Sequence, residues 1–261
     1  MKKRVISGFF IVLILAIAIF FGKTIFNILI GLCALFGMYE FINVRKDNKV
    51  KKLDAITFIS YLSLLLITFN GVFYNLDMIS LFIISLLLLT IPIVIYNKSE
   101  KYNINDALYL YGAVCMLGIA CNSLIMFREE SISMCIYIFI ISFMTDTYAY
   151  IGGMLIGKHK LTTISPKKTI EGSIVGTVMA TVIGTCFYDI LIGNYSLALI
   201  VIMSLALSII SQFGDLFFSS IKRYYDKKDY SNLIPVHGGI LDRLDSVIFV
   251  TLLLRLIVSI F

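Results

Sequence analysis

The chain has 261 residues, of which 59% are hydrophobic and only 15% charged, far from the roughly 45–50% apolar and 25% charged mixture of soluble domains. That composition excludes a soluble globular protein and predicts an all-α, polytopic integral membrane protein, because apolar runs of about 20 residues span a bilayer core of ~30 Å as helices. A net charge of +6 would suggest nucleic acid in a soluble chain, but here the basic residues sit in short loops between apolar runs, where they set orientation; no nucleic-acid partner is expected.

In chain order, Met1-Lys2-Lys3-Arg4 ahead of an apolar run from Val5 has the outline of a signal peptide, with Ala16-Ile17-Ala18 at cleavage-like spacing. The run continues through Phe21 and more spans follow, so an uncleaved first helix is expected. Further spans are read at Ile25–Val44, Ala55–Phe69, Met78–Tyr96, Ala107–Met126, Ile132–Gly152, Ile174–Ile192, Leu197–Ile221 and Ile240–Phe261, the third span being the shortest. About nine transmembrane helices of that length fit one membrane domain over residues 1–261. Residues 1–130 are expected to be a lipid-facing scaffold and residues 131–261 to carry the chemistry.

With the N-terminus in the cytoplasm and the spans alternating, only Lys23, Arg128 and Arg255 fall on the far side. The remaining lysines and arginines, including Lys46, Lys49, Lys51, Lys52, Lys98 and Lys101, lie in cytoplasmic loops, a strong positive-inside asymmetry. The expected location is the plasma (cell inner) membrane, multi-pass, with the polar loops facing the cytoplasm. The five cysteines all lie within apolar runs without C-x-x-C spacing and read as packing residues.

Gln212 to Asp245 is the stretch where acids, bases and paired glycines gather. An acid inside a membrane span costs about 2.5–3.5 kcal/mol on insertion scales and usually faces a functional cavity. Asp215 lies roughly 10 Å below the helix end at Lys222, and the spacing puts Asp215, Ser219 and Lys222 on one helix face. Asp242 and Asp245 share a face of the last helix. If the two faces meet, the carboxylates need a cation between them, and hard oxygen ligands without paired His or Cys point to Mg²⁺. His237-Gly238-Gly239 opens the same helix, and a glycine turn at a helix N-terminus suits a phosphate; a tight re-entry turn is the plainer alternative. Lys222, Arg223, Lys228 and Arg243 add positive charge nearby. Upstream, Gly157-Lys158-His159-Lys160 and Ser165-Pro166-Lys167-Lys168-Thr169-Ile170-Glu171-Gly172 form a second basic loop, preceded by Asp146. A basic loop at a membrane surface also meets anionic headgroups with no further role.

The run Ser219-x-Ile221-Lys222-Arg223, then Lys228-Asp229-x-Ser231, then Ile234-Pro235-x-His237-Gly238-Gly239-Ile240-x-Asp242-Arg243-Leu244-Asp245 resembles the signature of phosphatidate cytidylyltransferases, also called CDP-diacylglycerol synthases. Asp146, the Gly157-to-Leu161 stretch and the Ser165-to-Gly172 stretch are similar to that family as well. Lys167, Lys168, Ile170 and Tyr148 depart from its usual residues. The resemblance implies transfer of the cytidylyl group of CTP to phosphatidate, giving CDP-diacylglycerol and pyrophosphate, with Mg²⁺, and with a second cation as a further expectation, at the aspartates. On this reading Asp215 and Asp242 hold the metal, with Asp245 and Asp146 as second ligands or outer supports. Lys222, Arg223 and Arg243, with the Gly238-Gly239 turn, Ser219, Lys228 and His237, hold triphosphate or lipid phosphate, and Ser165, Lys167 and Lys168 close over the nucleotide. CTP, phosphatidate and membrane lipid are the expected partners, together with a homodimer. A CTP-dependent lipid kinase, a CDP-archaeol-type synthase and a cation-coupled transporter using Asp146 and Asp215 are the competing readings.

Overall fold

The computed structural model describes residues 2–45, 54–96, 102–234 and 238–260. Among these the chain forms nine α-helices: α1 (Lys2–Phe20), α2 (Lys23–Val44), α3 (Asp54–Thr68), α4 (Met78–Tyr96), α5 (Ile104–Glu130), α6 (Ile132–Ile156), α7 (Ile170–Leu191), α8 (Leu197–Tyr224) and α9 (Leu241–Ile260). Extended pairing among the described residues is limited to isolated bridges, so the chain is an all-α, multi-pass membrane protein.

Six helices, α2 and α4 to α8, are long and apolar enough to cross a membrane. The apolar parts of α1 and α3 are shorter, and α9 carries Asp242, Arg243, Asp245 and Arg255 within its 20 residues. The helix limits differ from the apolar runs where side chains cap the ends. Thr169 accepts the Gly172 N–H and starts α7 four residues before the apolar run at Ile174, while Ser131 accepts the Met134 N–H and separates α5 from α6. α8 ends in a Schellman turn: Lys227 N–H donates to the Lys222 carbonyl and Asp226 N–H to the Arg223 carbonyl, with Asp226 at φ 53°. That geometry satisfies carbonyls a helix end would leave open.

The chain divides into two compact units, one of residues 1–126 with 229–241, the other of residues 127–228 with 242–261. Within the first, Gly118 has no side chain where Ile67 presses in, and Asn122 donates to the carbonyls of Thr68 and Asn70. Arg45 pairs with Asp106 and lies 5.0 Å over the Tyr109 ring, and Tyr109 donates its hydroxyl to the Phe41 carbonyl at 2.9 Å.

In the second unit α6 and α7 run antiparallel with almost no space between their backbones. A Cβ on Gly172 would sit 2.5 Å from the Ala149 carbonyl oxygen, and one on Gly176 would sit 2.6 Å from that of Thr145. Further along the same seam Gly184 faces Ile141, and Tyr137 packs edge to face on Tyr188 at 5.0 Å. Hydrophobic driving force is absent between helices in lipid, so such small-residue contacts are what allow close packing. Gly214 does the same for α8 against α9, where a Cβ would lie 2.7 Å from the Asp245 carbonyl oxygen.

Candidate active site

The polar groups of the second unit are strung along α8. Ser204, Ser208, Gln212, Asp215, Ser219 and Lys222 follow one another at steps of three or four residues and therefore share a face. Deep in the helix these groups meet hydroxyls: Ser204 Oγ lies 2.7 Å from the Tyr137 hydroxyl and Ser208 Oγ 2.8 Å from Thr145 Oγ1. Gln212 Nε2 donates to Thr177 Oγ1 at 2.7 Å, and its side-chain oxygen accepts the Ser173 hydroxyl. At about 0.6 kcal/mol each, as interhelical hydrogen bonds in membranes average, these pairs fix the rotation of α8 against α6 and α7 more than they stabilise the fold.

Toward its C-terminal end the stripe becomes charged. Asp215 Oδ2 meets Lys168 Nζ at 2.5 Å, and its other oxygen accepts Ser219 Oγ at 3.2 Å. Lys222 Nζ donates to Asp242 Oδ1 at 2.6 Å, with side chains only 11% and 5% exposed. Ser246 joins the remaining acids, its hydroxyl lying 3.2 Å from Asp146 Oδ2 and 3.3 Å from Asp245 Oδ1. Asp215 lies near both acids, next to Gly214 where α8 meets the Asp245 backbone, and Lys168, Lys222 and Arg243 are the neighbouring positive charges. Asp146 is exposed while Asp215 and Asp245 are half-buried, so the cluster opens at the surface of its unit.

The basic loop before α7 reaches this cluster because it is folded back on itself. Leu161 N–H donates to the Lys168 carbonyl at 2.9 Å, Lys168 N–H to the Ser165 carbonyl at 3.0 Å, and Ile170 N–H to the His159 carbonyl at 3.0 Å. Glu171 clasps the base of the loop, accepting the N–H groups of Lys158 and His159 and pairing with His159 Nδ1 at 2.5 Å. The result aims Lys168 at Asp215 and leaves Lys167 exposed.

The structure thus gathers Asp146, Asp215, Asp245, Lys168 and Ser219, and gives Asp242 to Lys222. Arg223 is exposed and donates to the Lys227 carbonyl at 3.2 Å, closing the end of α8; Lys228 and Arg243 are exposed. Gly238, at φ 81°, accepts the Ile234 N–H at 2.9 Å. The backbone N–H groups of Ile240 and Leu241 go to the carboxylate of Glu40 on α2 at 2.9 and 2.8 Å. The first N–H groups of α9 are therefore capped by a protein anion. His237 lies outside the described residues. Sequence reasoning passed over Glu40, although the rule that singles out Asp215, an acid inside an apolar run, applies to it equally. Ser246 carries no signal beyond its place beside Asp245.

Fold and site together define a class: a multi-pass membrane protein whose acids and lysines from separate helices suit phosphorylated substrates. The sequence matches the Cytidylyltransferase family over residues 2–261, and the chain belongs to that family. It is 32% identical over 262 residues to the phosphatidate cytidylyltransferase of Staphylococcus haemolyticus (strain JCSC1435), covering 98% of both chains. To that of Bacillus subtilis (strain 168) it is 31% identical over 269 residues, covering 100% of this chain and 98% of the relative.

Proposed function

We infer that this protein transfers the cytidylyl group of CTP to phosphatidate, forming CDP-diacylglycerol and pyrophosphate. The observation that carries the reading is the convergence of Asp146, Asp215 and Asp245 with Lys168 and Lys222 in the second unit, in a chain matched end to end by cytidylyltransferases.

The chemistry asks little of a general base. Phosphatidate's phosphomonoester carries about −1.5 to −2 charge at neutral pH, so an oxygen of that group is already a nucleophile. It forms a bond to the α-phosphorus of CTP as the bond from that phosphorus to the bridging oxygen breaks, and pyrophosphate leaves with the electron pair. The obstacle is repulsion between two polyanions, and positioning with charge neutralisation dominates such transfers. Lys168 and Lys222 would turn their ammonium groups from Asp215 and Asp242 to phosphate oxygens, and Arg223, Arg243, Lys228, Lys167 and Ser165 border them in sequence.

The donor set suits Mg²⁺. All candidate ligands are hard oxygens, and Mg²⁺ takes one or two carboxylates and completes its shell with water and substrate phosphate. Among the described residues no three acid, His or Cys side chains form a ready shell, which leaves phosphate oxygens to supply the rest. Asp215 and Asp245 would hold the ion, with Asp146 tied in through Ser246; Asp242 is assigned to Lys222. Bound there, the metal would neutralise the triphosphate and polarise the α-phosphorus. The lysine and arginine asymmetry of the loops supports a cytoplasmic site, where CTP is at hand.

Purified protein incubated with Mg²⁺, phosphatidate and CTP labelled on either the α- or the γ-phosphate tests the reading. The α label is expected in lipid together with pyrophosphate release that needs phosphatidate. The γ label in lipid would make the protein a kinase, and solute flux in sealed vesicles without pyrophosphate would make it a transporter.

A further inference from the structure

Glu40 is a buried charge that the site above does not use. It lies near the end of α2 and is 0% exposed, a location in which a carboxylate is costly unless its oxygens are satisfied. Side-chain and backbone donors converge on it. Oε1 accepts the Ser231 hydroxyl at 2.5 Å and the Ile240 N–H at 2.9 Å, and Oε2 accepts the Leu241 N–H at 2.8 Å. Leu241 is the first residue of α9, so the backbone donors belong to the open end of that helix, where aligned peptide dipoles favour a negative charge.

The surroundings are built for this contact. Any Cβ on Gly239 would run into the Glu40 carboxylate, so only glycine permits the approach. Phe41, the next residue of α2, packs edge to face on Tyr230 at 5.9 Å, and Tyr230 precedes Ser231. Leu241 closes on Gly37 from the same helix, its Cδ2 lying 3.2 Å from where a Cβ would stand. The signature residues Ser231 and Gly239 thus serve a carboxylate some 190 to 200 positions earlier in the chain.

We propose that Glu40 is a positioning residue for the cytidylyl transfer: as the N-terminal cap of α9 it fixes the start and rotation of the helix that carries Asp242, Arg243 and Asp245. The proposal rests on the assignment of those side chains to the site. Asp242 directly follows the capped residue, and a carboxylate bound in two directions to Ile240 and Leu241 leaves the first turn of α9 a single register. Loss of the cap lets that turn fray and moves Asp242 off the position from which it holds Lys222.

The test uses the full chain in lipid nanodiscs, comparing wild type with E40Q and E40A by CTP and phosphatidate kinetics and by hydrogen–deuterium exchange. Gln keeps the volume but turns an N–H₂ group toward donors, so it cannot keep every bond to Ser231, Ile240 and Leu241; Ala removes them all. A displacement of about 1 Å costs about 100-fold in rate, so kcat is expected to fall about 100-fold in E40A and less in E40Q, by more than either KM rises. Exchange is expected to rise at Ile240 to Asp245 and to stay unchanged across α6 and α7. Wild-type kcat in E40A, or faster exchange spread over every helix, overturns the proposal. Should E40A not fold, E40Q decides, and unchanged kcat with unchanged exchange overturns it. A wild-type protein inactive with CTP and phosphatidate sinks the transferase reading and the proposal resting on it; the exchange result then decides only whether Glu40 caps α9.

Discussion

The Lys222–Asp242 pair can be taken apart in a way that separates holding the fold from doing chemistry. Both side chains are nearly sealed, at 11% and 5% exposed, so removing one charge leaves the other in a poor medium. Breaking a buried ion pair from one side typically costs about 3–5 kcal/mol, whereas replacing both partners with neutral groups of similar size is often nearly neutral. At about 2–4 °C per kcal/mol for a domain of this size, Lys222→Met and Asp242→Asn should each lower the melting midpoint by roughly 10 °C. The double variant Lys222→Met/Asp242→Asn should recover most of that loss. Activity should behave differently: all three variants lose the ammonium or its orienting partner, and removal of one such electrostatic group costs about 100- to 1,000-fold in turnover. The assay is scanning fluorimetry of detergent-purified protein alongside pyrophosphate release. A double variant as unstable as the single ones, or a stable but still active Lys222→Met, would refute the reasoning.

Lys168→Met provides the contrast: its pair with Asp215 is about a quarter exposed on both sides, so the melting shift should correspond to less than about 1 kcal/mol while turnover still collapses. Gly176→Val would drive side-chain atoms into the Thr145 carbonyl and should cost at least about 1–3 kcal/mol, as overpacking does, read as a lower melting midpoint. Glu171→Gln removes the clasp on His159 and the loop base; trypsin should cut at Lys158, Lys160 or Lys167 faster, and KM for CTP should rise. Chelation with EDTA should stop pyrophosphate release and added Mg²⁺ restore it; activity that persists in EDTA removes the metal from the reaction.

Apolar runs revealed the helices because a membrane span writes itself as continuous hydrophobic sequence. The Asp215–Ser219 contact was readable for a related reason, since a spacing of four fixes which residues of one helix meet. Pairing across helices was not readable. Periodicity tells which face is polar and not which other face it meets: Asp215, Ser219 and Lys222 share a face as their spacing requires, but the pairing of Lys222 with Asp242 on α9 is not written in it. Lys167 and Lys168 are equivalent in the sequence, both expected to close over the nucleotide with Ser165, and only the folded loop shows that Lys168 turns to Asp215. Glu40 escaped notice because its partners lie far along the chain. The Gly238-Gly239 turn suits an anion or a tight re-entry by its sequence, and the N–H groups just beyond it bind the carboxylate of Glu40.

The sequence order of α6 to α9 also bears on how the protein is made. Asp146, Lys168, Asp215 and Lys222 emerge from the ribosome before Asp242, Asp245 and Ser246, which all lie on α9. A nascent chain that has not reached residue 242 lacks both the ion pair at Lys222 and the hydroxyl linking Asp146 to Asp245. Translation must therefore deliver the ninth helix before these contacts among α6, α8 and α9 can form, so the polar cluster is the last part of the second unit to be completed.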